Sequence, residues 1–173
     1  MQIFVCGLDD LNDIVVDVGA SHVVTLLNHD TMPDTPRPIA QENHLKLAMN
    51  DISEPAEGLV LPNTLHISNL IGFLDTWPKV DPIVIHCWAG ISRSTAAAFI
   101  SQCFFNPSVD EIEIAMDLRR ASPSATPNRR LVELADEVLD RGGRMRKAIE
   151  EIGRGELAQV GEPFSLPVEI RRV

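Results

Sequence analysis

The chain predicts an α/β fold: a central, mostly parallel sheet of four to five strands, covered by helices on both faces in three layers. Three observations point there. Short β-branched runs alternate with helix-length segments through the first half, the pattern of βα units. The run His22-Val23-Val24-Thr25-Leu26-Leu27 is too apolar for a strand with one wet face, so it belongs to a sheet covered on both sides. The second half then reads as successive helices. With 173 residues, 45% of them hydrophobic, the chain can bury one proper core. One domain is expected over 1–152, with a tail, 153–173, docked on it.

Taken in order, Gln2 to Cys6 is a first strand stopped by Gly7, and Leu8 to Val18 a weak amphipathic helix stopped by Gly19. After the strand at 22–27, three prolines (Pro33, Pro36, Pro38) make a loop of residues 28–39. His44 to Met49 is a third strand, followed by a loop from Asn50 to Gly58. Asn63 caps a helix to about Trp77, with Ile67, Leu70, Ile71 and Leu74 on one face. Ile83-Val84-Ile85 is a fourth strand, and Ala96-Ala97-Ala98-Phe99-Ile100 lies in the helix that follows. Ser108 with Glu111 suggests a capping box for a helix to Arg120. A last helix starts near Asn128, is interrupted at Gly142-Gly143, and continues to about Ile152. In the tail, Phe164, Leu166 and Val168 alternate as in a docked extended segment.

The net charge of −10 argues against nucleic acid or an anionic membrane as a partner. No apolar run approaches the roughly 18–20 residues of a membrane span. Met1-Gln2-Ile3-Phe4 lacks the basic start of a secretory leader. Cys6, Cys87 and Cys103 show neither a CxxC pair nor metal-ligand spacing, so no metal or cofactor is implied and a reduced, cytoplasmic setting is expected.

The chemistry concentrates at His86-Cys87-Trp88-Ala89-Gly90-Ile91-Ser92-Arg93-Ser94. A loop between a strand and a helix N-terminus gathers backbone N–H groups, which makes an anion site. Those amides favour a thiolate at Cys87, a nucleophile at the base of the loop. Arg93 offers two parallel donors to phosphate oxygens, which lysine cannot. Gly90 lets the loop turn its amides inward. Ser94 is placed to donate to the Cys87 sulfur, while His86 orients the backbone beneath the loop. Trp88 and Ile91 read as loop packing or pocket wall. Cys6 and Cys103 read as core.

His-Cys-x-x-Gly-x-x-Arg-Ser resembles the signature of the cysteine-dependent protein tyrosine phosphatases. The compact size and the Asn50-Asp51 loop look like their dual-specificity branch and its small bacterial relatives. The resemblance implies a phosphate loop of residues 86–93, a phosphocysteine intermediate and no metal. It also implies a general acid, for which Asp51 fits the family's segment, with Glu54 and Glu57 as competitors on the same loop. Asp75, inside a helix, and Asp81, at the far end of its strand, lose on geometry. Pro127-Asn128 matches a helix start that lies near the loop in the family. Asn128 has two readings there, helix cap or placement of the hydrolytic water. Arg119, Arg120, Arg129 and Arg130 are candidates to rim the pocket against the acidic field.

The expected activity is hydrolysis of phosphotyrosine, with phosphoserine and phosphothreonine as further substrates, on a phosphorylated protein or small phosphate ester. A phosphoinositide or inositol-phosphate phosphatase is the alternative within enzymes, disfavoured by a loop without lysine. A rhodanese-like sulfurtransferase is disfavoured by the Cys-to-Arg spacing. An arsenate reductase is disfavoured by the lack of a nearby partner cysteine. A non-catalytic phospho-reader is the alternative of another class, and it would ordinarily have lost Cys87, Arg93 or Asp51.

Overall fold

The computed structural model describes residues 1–170. Five strands, β1 (Gln2–Cys6), β2 (His22–Leu27), β3 (His44–Ala48), β4 (Ile83–His86) and β5 (Phe164–Pro167), form one sheet in the order β3-β2-β4-β1-β5. The first four are parallel, with Val5 beside Ile85 and Val24 also beside Ile85. β5 runs antiparallel along β1, Phe4 opposite Ser165. An α/β fold with a mostly parallel sheet is what the alternating runs predict. β4 sits at the centre of the parallel strands, so the loop that leaves it emerges mid-edge.

The helices divide unequally. α1 (Leu11–Asp17) packs alone on one face, where Leu11, Val15, Val23, Val84 and Ile39 make a small core. α2 (Thr64–Thr76), α3 (Arg93–Phe105), α4 (Glu111–Ala121), α5 (Arg129–Val138) and α6 (Arg144–Ile152) bury the main core on the other. α3 is buried on every side from Arg93 to Cys103. Its run Ala96-Ala97-Ala98 lets neighbouring helices approach closely, which explains why it shows no amphipathic stripe.

Two local expectations change. α1 begins at Leu11, because Leu8 N–H is bonded to the Trp88 carbonyl (3.1 Å) and residues 8–10 form a turn. α4 is capped by Asp110, whose carboxylate accepts from Ile112 N–H at 2.7 Å, and not by Ser108. Glu111 is buried instead in an ion pair with Arg141 (3.2 Å) and Arg144 (3.0 Å). The expected interruption at Gly142-Gly143 separates the last helix into α5 and α6. Asp136 is buried at the end of α5 and its carboxylate accepts from Met145 N–H at 2.7 Å, capping α6 from a distance.

The tail crosses the sheet edge where β4 ends before pairing as β5: Gly155 N–H donates to Thr126 Oγ1 (3.1 Å) and Gly161 N–H to the Ala89 carbonyl (2.8 Å). Arg171, Arg172 and Val173, part of the segment expected to dock, lie outside the described residues. No described helix is long and apolar enough to cross a membrane.

Candidate active site

The loop after β4 is shaped by how its carbonyls are held. Trp88 O accepts from Leu8 N–H, Ala89 O from Gly161 N–H, Ile91 O from Thr126 N–H (2.9 Å) and Ser92 O from Asn128 N–H (3.3 Å). Three separate segments therefore pull these carbonyls outward. A trans peptide is planar, so the N–H on the other side of each unit turns the opposite way. Among the described residues none accepts a backbone hydrogen bond from Trp88, Ala89, Gly90, Ile91 or Ser92. Gly90 stands at φ +70°, and a Cβ there would meet the Cys6 carbonyl carbon and Gly7 nitrogen at 2.9 Å. Only glycine fits.

Cys87 is buried at the base of this loop, with Sγ 3.1 Å from Ser94 Oγ. Ser92 occupies the N-cap of α3 but makes no capping bond; its hydroxyl donates to Asp51 Oδ1 at 2.7 Å. The first turn of α3 thus presents uncapped amides and its dipole toward the loop. Arg93 is 5% exposed, donates to Met49 O at 2.9 Å, and leaves Nε without a hydrogen bond.

Asp51 lies on the loop after β3, brought to this edge because parallel strands end together. Its Oδ1 also accepts from Asn128 Nδ2 at 2.8 Å, and its Oδ2 is 4.0 Å from Arg93 Nε. Asn128 does two jobs: its Oδ1 caps α5 through Leu131 N–H (3.1 Å) while its amide holds Asp51. Glu54 and Glu57, on the same loop, are exposed and make no such bonds. Trp88 is exposed at the rim; Ala89 and Ile91 are half-buried.

A cavity of about 390 Å³ adjoins Asp51 and Ser92, with Thr126, Asn128, Arg129 and Arg154 in its wall. Of the four arginines expected at the rim, only Arg129 lines it. Arg119 binds the carbonyls of Pro123 and Ala125 (2.7 Å each) and Gly153 (2.9 Å), clamping the wall from behind. Arg120 pairs with Asp117, and Arg130 stands 3.9 Å from Glu133. Arg154 replaces them; it lies in the tail, where no local pattern marks it.

His86 faces away from the loop's mouth. It ends β4, fully buried, with Nε2 2.6 Å from Thr25 Oγ1. It therefore supports the loop from below and does not line it. Burial pushes its pKa down to about 4, against a smaller raising effect of the Cys87 backbone, and burial pushes His44 to about 4 as well. Burial raises the Cys6 thiol to about 12 and the Cys103 thiol further, so both stay neutral core groups.

The two histidines give a stability prediction. Each takes up a proton near pH 6.5 when unfolded and only near 4 when folded, so the unfolded chain binds more protons between these values. The stability present above pH 6.5 is lost as pH falls through this window. From pH 7 to 5, where few carboxylates titrate, the loss is on the order of 1–2 kcal/mol per ring. Calorimetry is expected to show Tm falling by roughly 5–10 °C; a flat Tm over that range refutes neutral burial.

No protein-family model and no curated protein matches the chain. Solved structures do. A structure of DUSP15 superposes with a TM-score of 0.56 at 20% identity, covering 86% of this chain and 90% of that one. The human tyrosine phosphatase-like serine/threonine/tyrosine-interacting protein gives 0.61 at 15% identity, covering 81% and 92%. PTPMT1 in complex with PI(5)P gives 0.56 at 12% identity, covering 87% and 91%. The chain has the protein tyrosine phosphatase fold. In this phosphatase fold the loop from Cys87 to Arg93 lies at the carboxyl end of the central strand, with Asp51 across from it.

Proposed function

We propose that the chain is a cysteine-dependent phosphatase of the protein tyrosine phosphatase superfamily. It hydrolyses phosphotyrosine, and phosphoserine or phosphothreonine as further substrates, in a reduced, cytoplasmic setting. The observation that carries this reading is the loop over Cys87: carbonyls tied outward, amides without partners, and a buried Arg93 with a donor to spare. That arrangement suits the three non-bridging oxygens of a phosphoryl group, which become equatorial in the transition state.

The first step forms a bond from the Cys87 sulfur to phosphorus and breaks the bond to the leaving oxygen, which takes a proton from Asp51. In the second, water attacks the phosphocysteine, Asp51 accepts a water proton, and the sulfur leaves. Ser94 donates to that sulfur as its charge returns. Ser92 and Asn128 hold Asp51 over the loop, and Asn128 also suits placement of the water. The tail is read as part of the same domain, and for residues 153–170 the Gly161 bond to Ala89 and the β5 pairing support this.

The likeness to PTPMT1 bound to PI(5)P supports a second reading, a phosphoinositide phosphatase. The loop lacks lysine and the chain is strongly acidic, which favours protein substrates. One experiment separates them. Wild type and Asp51→Asn are assayed with chelator on phosphotyrosine, phosphoserine and phosphothreonine peptides, phosphoinositides, and aryl phosphates of graded leaving group. The wild type is expected to turn over phosphotyrosine peptide fastest. Asp51→Asn should lose roughly 10²- to 10⁴-fold on poor leaving groups and far less on good ones. Equal loss on both removes Asp51 as the acid, and fastest turnover of phosphoinositide selects the second reading.

A further inference from the structure

The proposed chemistry uses Asp51 and Ser92 but not the cavity of about 390 Å³ that adjoins them. Asp51 is the one carboxylate among its described wall residues, and its Oδ1 already accepts from Ser92 and Asn128. Two cations reach the same wall from separate segments, Arg129 from the start of α5 and Arg154 from the tail. Both are exposed, and among the described residues neither side chain is ion-paired or hydrogen-bonded. By contrast, Arg119, Arg120, Arg130, Arg141 and Arg144 are held by carbonyls or carboxylates. On a chain of net charge −10, two unclaimed guanidinium groups sharing one cavity repel each other until an anion enters.

Arg154 leaves a stretch of tail that is pinned on both sides. Gly153 O accepts from Arg119 (2.9 Å), Gly155 N–H donates to Thr126 Oγ1 (3.1 Å), and Glu156 N–H donates to Pro123 O (2.9 Å). A Cβ on Gly155 would meet the Ser124 carbonyl carbon at 2.5 Å, so only glycine lets the two backbones lie this close. Thr126 in turn donates its N–H to Ile91 O in the phosphate loop (2.9 Å). Arg129 directly follows Asn128, which holds Asp51 and caps α5. Both arginines are therefore carried by backbone fixed to the loop over Cys87, which lowers the ordering cost of binding.

We propose that Arg129 and Arg154 form an anion subsite for a second acidic group of the substrate, a carboxylate or a second phosphoryl group close to the phosphorylated residue. The subsite rests on the phosphatase reading for the group that fills the loop itself. A guanidinium binds either oxyanion through paired N–H donors, and Ser53 adds a hydroxyl to the wall. Asp51 borders both loop and cavity, so two anionic groups of one peptide can engage both at once. The net charge of −10 disfavours an anionic membrane as the source, and the substrate is a phosphoprotein.

Binding without turnover reads the subsite. Wild type is titrated by calorimetry with peptides carrying phosphonodifluoromethyl-phenylalanine, a non-hydrolysable phosphotyrosine analogue, flanked on both sides by alanine, aspartate or phosphoserine. Turnover of the matching phosphotyrosine peptides is measured alongside. An acid-flanked peptide is expected to bind wild type roughly tenfold tighter than the alanine-flanked one. The larger of the aspartate and phosphoserine ratios identifies the acid. In Arg154→Ala and in Arg129→Ala the ratio should fall to within about twofold. Arg146→Ala, which removes the same charge from a different cavity, should keep the wild-type ratio.

Binding and turnover of the alanine-flanked peptide with no acid preference overturns the subsite and leaves the phosphatase reading standing. A preference that survives both Arg129→Ala and Arg154→Ala also overturns it. A preference lost in those variants, with no phosphate ester turned over, supports the subsite and overturns the phosphatase reading. If no phosphonate peptide binds, loop and subsite fail together. Sharper discrimination between a phosphatidylinositol bisphosphate and a monophosphate than among the peptides assigns the cavity to a lipid headgroup and overturns the peptide.

Discussion

Cys87→Ser is expected to abolish turnover, by roughly 10⁴-fold or more, while phosphate-analogue binding survives. The hydroxyl is isosteric with the thiol, and the groups that would hold the anion are backbone amides and Arg93. Neither depends on the sulfur. Steady-state kinetics with phosphotyrosine peptide, and calorimetric titration with vanadate or tungstate, check the two halves separately. Activity retained in Cys87→Ser sinks the covalent mechanism. Loss of both turnover and anion binding, with the fold intact, points to collapse of the loop and not to loss of a nucleophile.

Arg93→Lys carries the second-largest expectation: a loss of roughly 10²- to 10³-fold in kcat/KM, with anion binding weakened in parallel. The guanidinium serves two masters in this structure. One nitrogen binds Met49 O, which anchors the start of the loop that carries Asp51, and Nε, 4.0 Å from Asp51 Oδ2, makes no hydrogen bond among the described residues. An ammonium keeps the charge but cannot hold Met49 and two phosphate oxygens in one plane. Measured by stopped-flow or steady-state assay alongside Arg93→Ala, the lysine variant should sit close to the alanine one. If lysine restores most of the activity, Arg93 acts as a point charge and the bidentate argument fails.

The strongly acidic composition posed a difficulty for any phosphate site, and its resolution is local. Arg93 is buried at the loop, so it meets an anion with little screening. Arg129 and Arg154 line the adjoining cavity, while Arg119, Arg120, Arg141 and Arg144 are engaged by carbonyls or carboxylates elsewhere.

Much of the fold was legible because periodicity is local. The runs 2–6, 22–27 and 83–86 have the apolar, β-branched character of covered strands, and each is a strand within a residue or so of its expected limits. Errors arose where a distant group displaces a local signal. Ser108 and Glu111 have capping-box spacing, but Arg141 and Arg144, some thirty residues on, draw Glu111 into the core and leave the cap to Asp110. Ser92 likewise stands at an N-cap yet turns its hydroxyl to Asp51, because a charged acceptor outcompetes backbone amides.

By itself, the sequence determined the sheet class, the position of the loop between β4 and α3, and the thiol, glycine and arginine that this loop carries. These follow from contiguous chemistry: alternation of apolar runs, a glycine where the turn is tight, an arginine one helix start away. Only the tertiary structure decided what holds that loop open. Leu8, Thr126, Asn128 and Gly161 come from three segments far apart in the chain, and each ties down a carbonyl. The Thr25 hydroxyl, bonded to both His44 and His86, joins three strands in the same way. Backbone carbonyls and lone hydroxyls carry no pattern in sequence; their partners exist only once parallel strands end side by side and bring distant loops to one edge.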